Sequence, residues 1–171
     1  MSNVGSTNVS FVGLTNNSLT SALVELETAP QRVRDLASWL LNQAALAANR
    51  LVSGGLSAVG AHRSHYTVLA ALDEFGPASQ AALARRCGID RSDMVALVNV
   101  LSRDGLVGRR PDVADRRRNV VTITAAGQRR LRALETVLAR LQDALLAPLS
   151  APERDQLVTM LRRVVDHHGA T

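Results

Sequence analysis

Five arginines between positions 109 and 118 carry the most readily interpreted chemistry in the sequence. Arg109 and Arg110 precede a short polar turn, and Arg116, Arg117 and Arg118 follow it. Guanidinium groups bind phosphate, and at the tip of a hairpin they can enter a minor groove, where the potential is negative. Most arginine runs are only solvated loops. The cluster therefore indicates nucleic-acid binding only if neighbouring elements can place it against a duplex.

The residues just before this cluster predict a helix with one apolar and one polar face. Asp90 is a favourable N-cap, and Gly105 is a typical residue for ending a helix. Apolar residues recur at helical spacing and predict a buried stripe of Met94, Leu97, Val98 and Leu101. The opposite face is short and polar, and it consists of Ser92, Ala96, Asn99 and Arg103. Such a helix can enter a major groove.

Side-chain chemistry suggests a role in DNA binding for each polar residue. Asparagine can pair bidentately with adenine and arginine with guanine, so we expect base contacts from Arg91, Ser92, Asn99 and Arg103. Ser79 and Gln80 stand at the start of the preceding helix, where side chains and backbone N–H groups can bind phosphate. We expect the wing contacts from Arg116, Arg117 and Arg118.

The elements between residues 78 and 127 occur in the order of a winged helix-turn-helix. A first helix is followed by a turn at 87–89, the helix from Asp90, and two short strands at 106–107 and 119–124. The polar segment 108–118 between the strands is predicted to be a loop that cannot contribute to a core. This order gives the arginines the structural context that a solvated loop would lack.

At this point the sequence resembles the MarR (multiple-antibiotic-resistance regulator) family, and three local matches carry the resemblance. Residues 101–107 resemble its L-E-x-x-G-L-V helix end, and residues 115–117 with 123–127 resemble its D-R-R, L-T, x-x-G wing signature. Residues 65–72 and 79–84 resemble the two helices before the recognition helix. The resemblance extends over about residues 33–166. Two positions that often carry arginine in the family's recognition helix are Ala96 and Val100 here, so base readout must come from other residues.

The resemblance implies a mainly α fold with a small β-hairpin wing, flanking dimerisation helices and a regulatory function. It implies a non-enzymatic homodimer that binds double-stranded DNA, more as a repressor than as an activator, and that a small molecule releases. Arg117 matches the family's wing arginine, and Asp115 would brace the wing by pairing with arginine. The implied effector pocket lies between the dimer helices and the DNA-binding lobe, where an aromatic and a basic group would suit a phenolic or carboxylate ligand. Its candidate residues are Trp39, His62, Arg63, His65 and Tyr66.

The segments outside the lobe are predicted to serve dimerisation. We expect a disordered tail at 1–17, dimerisation helices and a connector at 18–61, the winged lobe at 62–127 and dimerisation helices at 128–171. Within the second segment, a short helix at 18–29 precedes a long one from Gln31, which Ser53-Gly54-Gly55 is predicted to break. Thr124 and Ser150 are expected to cap the two last helices. Their buried apolar residues are expected to be Leu131, Leu134, Leu138, Leu141 and Leu145, and Leu157, Met160, Leu161, Val164 and Val165.

Composition and charge support this interpretation. All 20 basic residues are arginine, and residues 85–132 hold 12 of them against 5 aspartates, which leaves the rest of the chain slightly acidic. A basic segment on a near-neutral scaffold is typical of nucleic-acid binding. Only 2% of residues are aromatic, so the core should consist of Leu, Val and Ala. The chain shows no signal peptide and no apolar run long enough to span a membrane, and we expect a cytoplasmic location without membrane contact.

Alternatives to a ligand-released DNA-binding regulator have weaker support. Four histidines, His62, His65, His167 and His168, could serve a metal sensor, but no cysteine or carboxylate set accompanies them, so no metal or other cofactor is expected. Cys87 could be a redox sensor, although its place in the turn favours a small buried hydrophobe. No catalytic motif surrounds these residues. A winged helix that binds only protein would not need an arginine-rich wing.

Overall fold

The computed structural model describes residues 29–111 and 119–169. The predicted disordered tail, all but the last residue of the helix expected at 18–29, and the wing residues Asp115, Arg116, Arg117 and Arg118 lie outside the described residues. The chain divides into two compact units, Met1–Ala48 and Asn49–Thr171. The helices are α1 (Gln31–Arg34), α2 (Ala37–Ser57), α3 (Arg63–Phe75), α4 (Gln80–Cys87), α5 (Arg91–Arg103), α6 (Ala125–Leu145) and α7 (Ala151–Gly169). The strands are β1 (Ala78–Ser79), β2 (Val107–Pro111) and β3 (Asn119–Ile123).

The strands form one antiparallel sheet in the order β1-β3-β2, so β3 is the central strand. The wing strands pair from Val107 opposite Ile123 to Pro111 opposite Asn119. The predicted fold class, mainly α with a β-hairpin wing, is confirmed. The prediction that the loop begins at residue 108 is wrong, because β3 supplies hydrogen-bonding partners as far as Pro111. The arginines of β2 keep their side chains exposed while their backbones pair.

The core of the second unit is aliphatic, as the composition predicted. Helices α3, α4, α5 and α6 and the two wing strands contribute to it, and its fully buried members include Val68, Leu69, Leu83, Met94, Val98, Leu101, Val121 and Leu134. The predicted stripe of α5 is confirmed, since Met94, Val98 and Leu101 are 0% exposed and Leu97 is 9% exposed. Truncating such a leucine to alanine typically costs about 2–5 kcal/mol. The buried stripe therefore fixes which face of α5 remains outside.

The predicted helix break at Ser53-Gly54-Gly55 is wrong, because α2 continues through both glycines to Ser57. A methyl group on Gly55 would lie 2.5 Å from Cδ2 of Leu141 in α6. Here the glycine permits close packing between helices and does not end a helix. The start also differs from the prediction, since α1 ends at Arg34 and α2 begins only at Ala37.

The predicted cap of α6 is confirmed, and of the predicted capping box of α7 the bonds from Ser150 to Glu153 are present. The Thr124 hydroxyl accepts a hydrogen bond from the Gly127 N–H at 3.0 Å. The Glu153 carboxylate accepts from the backbone N–H of Ser150 at 2.8 Å and from its hydroxyl at 2.6 Å. These hydroxyl and backbone hydrogen bonds hold the pKa of Glu153 below its usual value. Both helix starts are therefore defined by side chains that can be identified in the sequence.

The apolar face of α7, which was predicted to be buried in a dimer interface, is exposed in the single chain. Its large apolar side chains are exposed by 36% to 67%, and they are Val158, Met160, Leu161, Val164 and Val165. No other element among the described residues covers these side chains. Among residues 29–111 and 119–169, no helix has the length and apolar character needed to cross a membrane.

Candidate nucleic-acid interface

The first turn of α5 is held by Asp90. Its carboxylate accepts hydrogen bonds from the backbone N–H of Ser92 at 2.8 Å and from the Ser92 hydroxyl at 2.6 Å. The hydroxyl bond, followed by the backbone bond, lowers the pKa of Asp90. The Ser92 hydroxyl therefore donates its proton to Asp90. The lone pairs of the hydroxyl oxygen remain available to accept a hydrogen bond from a base.

The outward face of α5 agrees with the prediction. Its predicted members Ser92, Ala96, Asn99 and Arg103 are all exposed. Sequence reasoning missed Val95, which is 41% exposed although its apolar character suggested burial. It stands four residues before Asn99, a spacing that places both on one side of a helix and could have revealed it. Its methyl groups could contact the methyl group of a thymine.

A hydrogen bond joins Asn99 and Arg109, from a terminal guanidinium nitrogen of Arg109 to Asn99 Oδ1. Arg109 lies in β2, which packs beside α5, and both side chains are exposed. Sequence reasoning assigned Arg109 only to a charged loop and did not associate it with Asn99. Only the tertiary structure shows this contact, because the two residues belong to different elements.

The two arginines that were predicted to contact bases, Arg91 and Arg103, lie at opposite ends of α5. Arg91 is exposed in the first turn and lines an open groove of about 640 Å³ together with Arg85, Gly88 and Ile89. Arg103 is in the last turn, and 76% of its side chain is exposed. Its Nε lies 3.7 Å from Oδ1 of Asp104. An ion pair this exposed contributes little to stability, so Arg103 is free to change partner.

Ser79 and Gln80 begin α4. The Ser79 hydroxyl accepts a hydrogen bond from the Ala82 N–H at 3.2 Å, and the Ser79 backbone pairs with Val120 of β3. Gln80 is the first residue of the helix and is half-buried. The Ser79 side chain therefore serves as the N-cap of α4. A phosphate at this site would be bound mainly by Gln80 and by backbone N–H groups.

The candidate effector residues are divided between the two units of the chain. Trp39 is half-buried in α2, in the first unit. His62 caps α3, and its backbone N–H donates to Nδ1 of His65 at 3.4 Å. Tyr66 is half-buried and packs against the core of the second unit. An open groove of about 520 Å³ is lined by His62, Arg63, Ser64, Thr67, Cys87 and Ile89.

Two groups near this groove have shifted pKa values. Burial, and next the neighbouring His62, lowers the pKa of His65. Burial raises the pKa of the Cys87 thiol, and the charge of Arg86 opposes this shift. A raised thiol pKa reduces the fraction of reactive thiolate. Within the part of the chain that the structure describes, no three His, Cys, Asp or Glu side chains group as metal ligands would.

Comparison with known proteins gives the same assignment for this lobe. A model of the MarR family matches residues 59–118. The chain is 31% identical over 101 residues to the HTH-type transcriptional repressor NicR of Pseudomonas putida, an alignment that covers 59% of this chain and 64% of that repressor. The chain thus matches slightly less than two thirds of NicR.

Two solved structures extend the likeness beyond the lobe. The PcaV transcriptional regulator of Streptomyces coelicolor is 30% identical with a TM-score of 0.65, over 80% of this chain and 99% of PcaV. The transcriptional repressor CouR, solved bound to a 23-mer DNA duplex, is 26% identical with a TM-score of 0.71, over 79% of this chain and 96% of CouR. By its winged helix-turn-helix lobe and by these matches, the chain belongs to the MarR family.

Proposed function

We propose that this protein is a transcription regulator, a repressor rather than an activator, that binds double-stranded DNA through α5 and the wing. The observation that carries the proposal is the exposed polar face of α5 beside the arginines of β2. CouR, at 26% identity, was solved on a DNA duplex, and NicR is a repressor, which supports both parts of the proposal. Proteins of this family are DNA-binding regulators and not enzymes.

Charge supports DNA as the partner. Seven described arginines of the lobe are exposed, namely Arg63, Arg85, Arg86, Arg91, Arg103, Arg109 and Arg110. Phosphate neutralisation by such groups releases counterions and makes binding salt-dependent. A winged helix used only for protein contact would not require this distribution.

The functional form that we propose is a homodimer in the cytoplasm. The exposed apolar face of α7 supports it, because a monomer rarely leaves such a surface in water. Two-fold symmetry would present two α5 helices to two half-sites, so the operator should be a palindrome. The spacing of the half-sites would follow from the separation of the two helices.

We further propose that a small phenolic or carboxylate effector releases the DNA. The groove beside the N-terminus of α3 supports this, since it combines the cationic Arg63 with His62 and the apolar Ile89. The raised pKa of Cys87 speaks against the redox alternative, and the missing ligand set speaks against a metal sensor within the described residues. The proposed mechanism of release requires no cofactor.

The test is a salt titration of binding to a selected palindrome and to a random duplex. We expect tighter binding to the palindrome and a steep loss of affinity for both duplexes with salt. Arg117→Ala, at a position outside the described residues, should weaken binding to both duplexes alike. It should also reduce the slope of log affinity against log salt concentration by about one. Equal binding to both duplexes at every salt concentration would contradict a sequence-specific regulator.

A further inference from the structure

The hydrogen bond between Asn99 and Arg109 joins the middle of the predicted recognition helix to the first strand of the wing. A terminal nitrogen of the Arg109 guanidinium donates to Asn99 Oδ1. Both side chains are exposed, and neither forms part of the core. The contact therefore lies on the surface that α5 would present to a major groove.

This contact changes what Asn99 can recognise. Asparagine binds adenine bidentately by accepting from the N6 amino group and donating to N7. A guanidinium at the Asn99 carbonyl already occupies one lone pair and repels the positive hydrogens of an adenine amino group. Adenine is therefore a poor partner for Asn99 while Arg109 is in place.

The same contact prepares Arg109 for a different base. A guanidinium carries five N–H donors in one plane, so donors remain after the bond to Asn99. A planar fork of donors matches the O6 and N7 acceptors of guanine, and this is the commonest specific contact in the major groove. A side chain held by a neighbour also loses less freedom when it binds.

We propose that Arg109 reads a guanine and that Asn99 is a positioning residue that holds its guanidinium. The inference rests on the proposed DNA-binding function and assigns a specificity role to a residue outside the recognition helix. One guanine in each half-site of the operator would be recognised in this way.

Arg110 provides a matched control. It follows Arg109 in β2, is exposed, and has the same charge. Side chains alternate between the faces of a strand, so Arg110 points away from the side that Arg109 shares with Asn99. Arg110→Ala should lower affinity through lost charge and leave base preference unchanged.

The experiment selects preferred duplexes from a library with randomised operator positions, using the full chain and its variants. Relative to the wild type, Arg109→Ala should lose a guanine preference of roughly 5- to 140-fold, the range that corresponds to one bidentate base contact. Asn99→Ala should weaken the guanine preference less than Arg109→Ala does. Asn99→Asp should retain it, because a carboxylate still accepts from Arg109 although it can no longer donate to a base.

A second measurement replaces the selected guanine by 7-deazaguanine, which lacks the N7 acceptor. The wild type should lose affinity on this duplex, whereas Arg109→Ala should bind both duplexes equally. Thermal unfolding of each variant checks that the exposed substitutions leave the fold intact.

The outcomes separate the inference from the function on which it rests. The inference is wrong if Arg109→Ala keeps the guanine preference, or if Asn99→Ala and Asn99→Asp both abolish an adenine preference that Arg109→Ala leaves unchanged. If the wild-type chain enriches no sequence, the proposed function fails and the inference fails with it.

Discussion

A methyl group on Gly127 would lie 2.1 Å from the backbone carbonyl oxygen of Leu106 and 2.8 Å from Cγ1 of Ile123. The first turn of α6 therefore packs directly on the backbone where the wing begins. Thr124 reinforces this packing, because its hydroxyl lies 2.7 Å from the Gly105 carbonyl oxygen and 3.1 Å from that of Leu106. Steric hindrance thus explains why the wing signature has a glycine at position 127.

Gly127→Ala should destabilise the protein. Its methyl group would overlap the Leu106 carbonyl oxygen, which accepts a hydrogen bond from the Thr124 backbone N–H and cannot move without weakening it; overpacking of this kind costs about 1–3 kcal/mol or more. Thermal or urea unfolding followed by circular dichroism measures the effect. Gly54→Ala is the control, because nothing lies within 4 Å of a methyl group there and alanine should stabilise helix α2 by about 0.5–1 kcal/mol. Equal stability of the two variants would contradict the packing described.

Stability should decrease as the pH falls through the ordinary titration range of His65. In the folded chain the pKa of His65 lies below its usual value, so the unfolded chain takes up the proton more readily and gains stability on acidification. The loss begins near the unfolded pKa and is complete once the pH is below the lowered folded pKa. Burial and His62 lower this pKa, as does Arg130, whereas Asp104 opposes them.

Urea unfolding at neutral pH and at about pH 5.5 tests this, with His65→Gln as the variant. The variant should show a smaller difference between the two pH values than the wild type. His168→Gln, in the exposed last turns of α7, is the control and should retain the wild-type difference. If His65→Gln shows the same difference in stability between the two pH values as the wild type, the pH dependence belongs to other groups.

Cys87 should react slowly and should not control DNA binding. Burial raises the pKa of its thiol, so little thiolate is present at neutral pH. A disulfide reagent should therefore modify the folded protein more slowly than it modifies free cysteine. Mild peroxide should leave operator affinity unchanged in both the wild type and Cys87→Ala. A loss of affinity that occurs in the wild type alone would restore the redox interpretation.

Val164→Asp should shift the protein from dimer to monomer. Val164 is 46% exposed in the single chain, and in the proposed dimer interface a carboxylate in its place would be desolvated without a partner. Sedimentation velocity at several concentrations measures the shift. Gln156→Asp places the same charge on α7 away from the centre of the apolar face, and it should remain dimeric. A wild-type chain that is monomeric at high concentration would contradict the proposed dimer.

The sequence predicted most reliably the features that depend on neighbours close in the chain. The buried stripe from Met94 to Leu101 follows helical spacing, and the caps at Thr124 and Ser150 need only the residues three positions ahead. Features that depend on distant neighbours were missed. Gly55 resembles a helix breaker until Leu141 is found against it, and Arg109 resembles a loop residue until β3 and Asn99 are located.

The position of β3 between β1 and β2 has a consequence for local unfolding. Ser79, which caps α4, pairs with Val120, and Arg110 of the wing pairs with the same residue from the other side. Detachment of β3 would therefore free the wing strand and the N-terminus of α4 in a single event. Amide hydrogens in these three strands should exchange with deuterium as one cooperative group, at a rate distinct from that of α5.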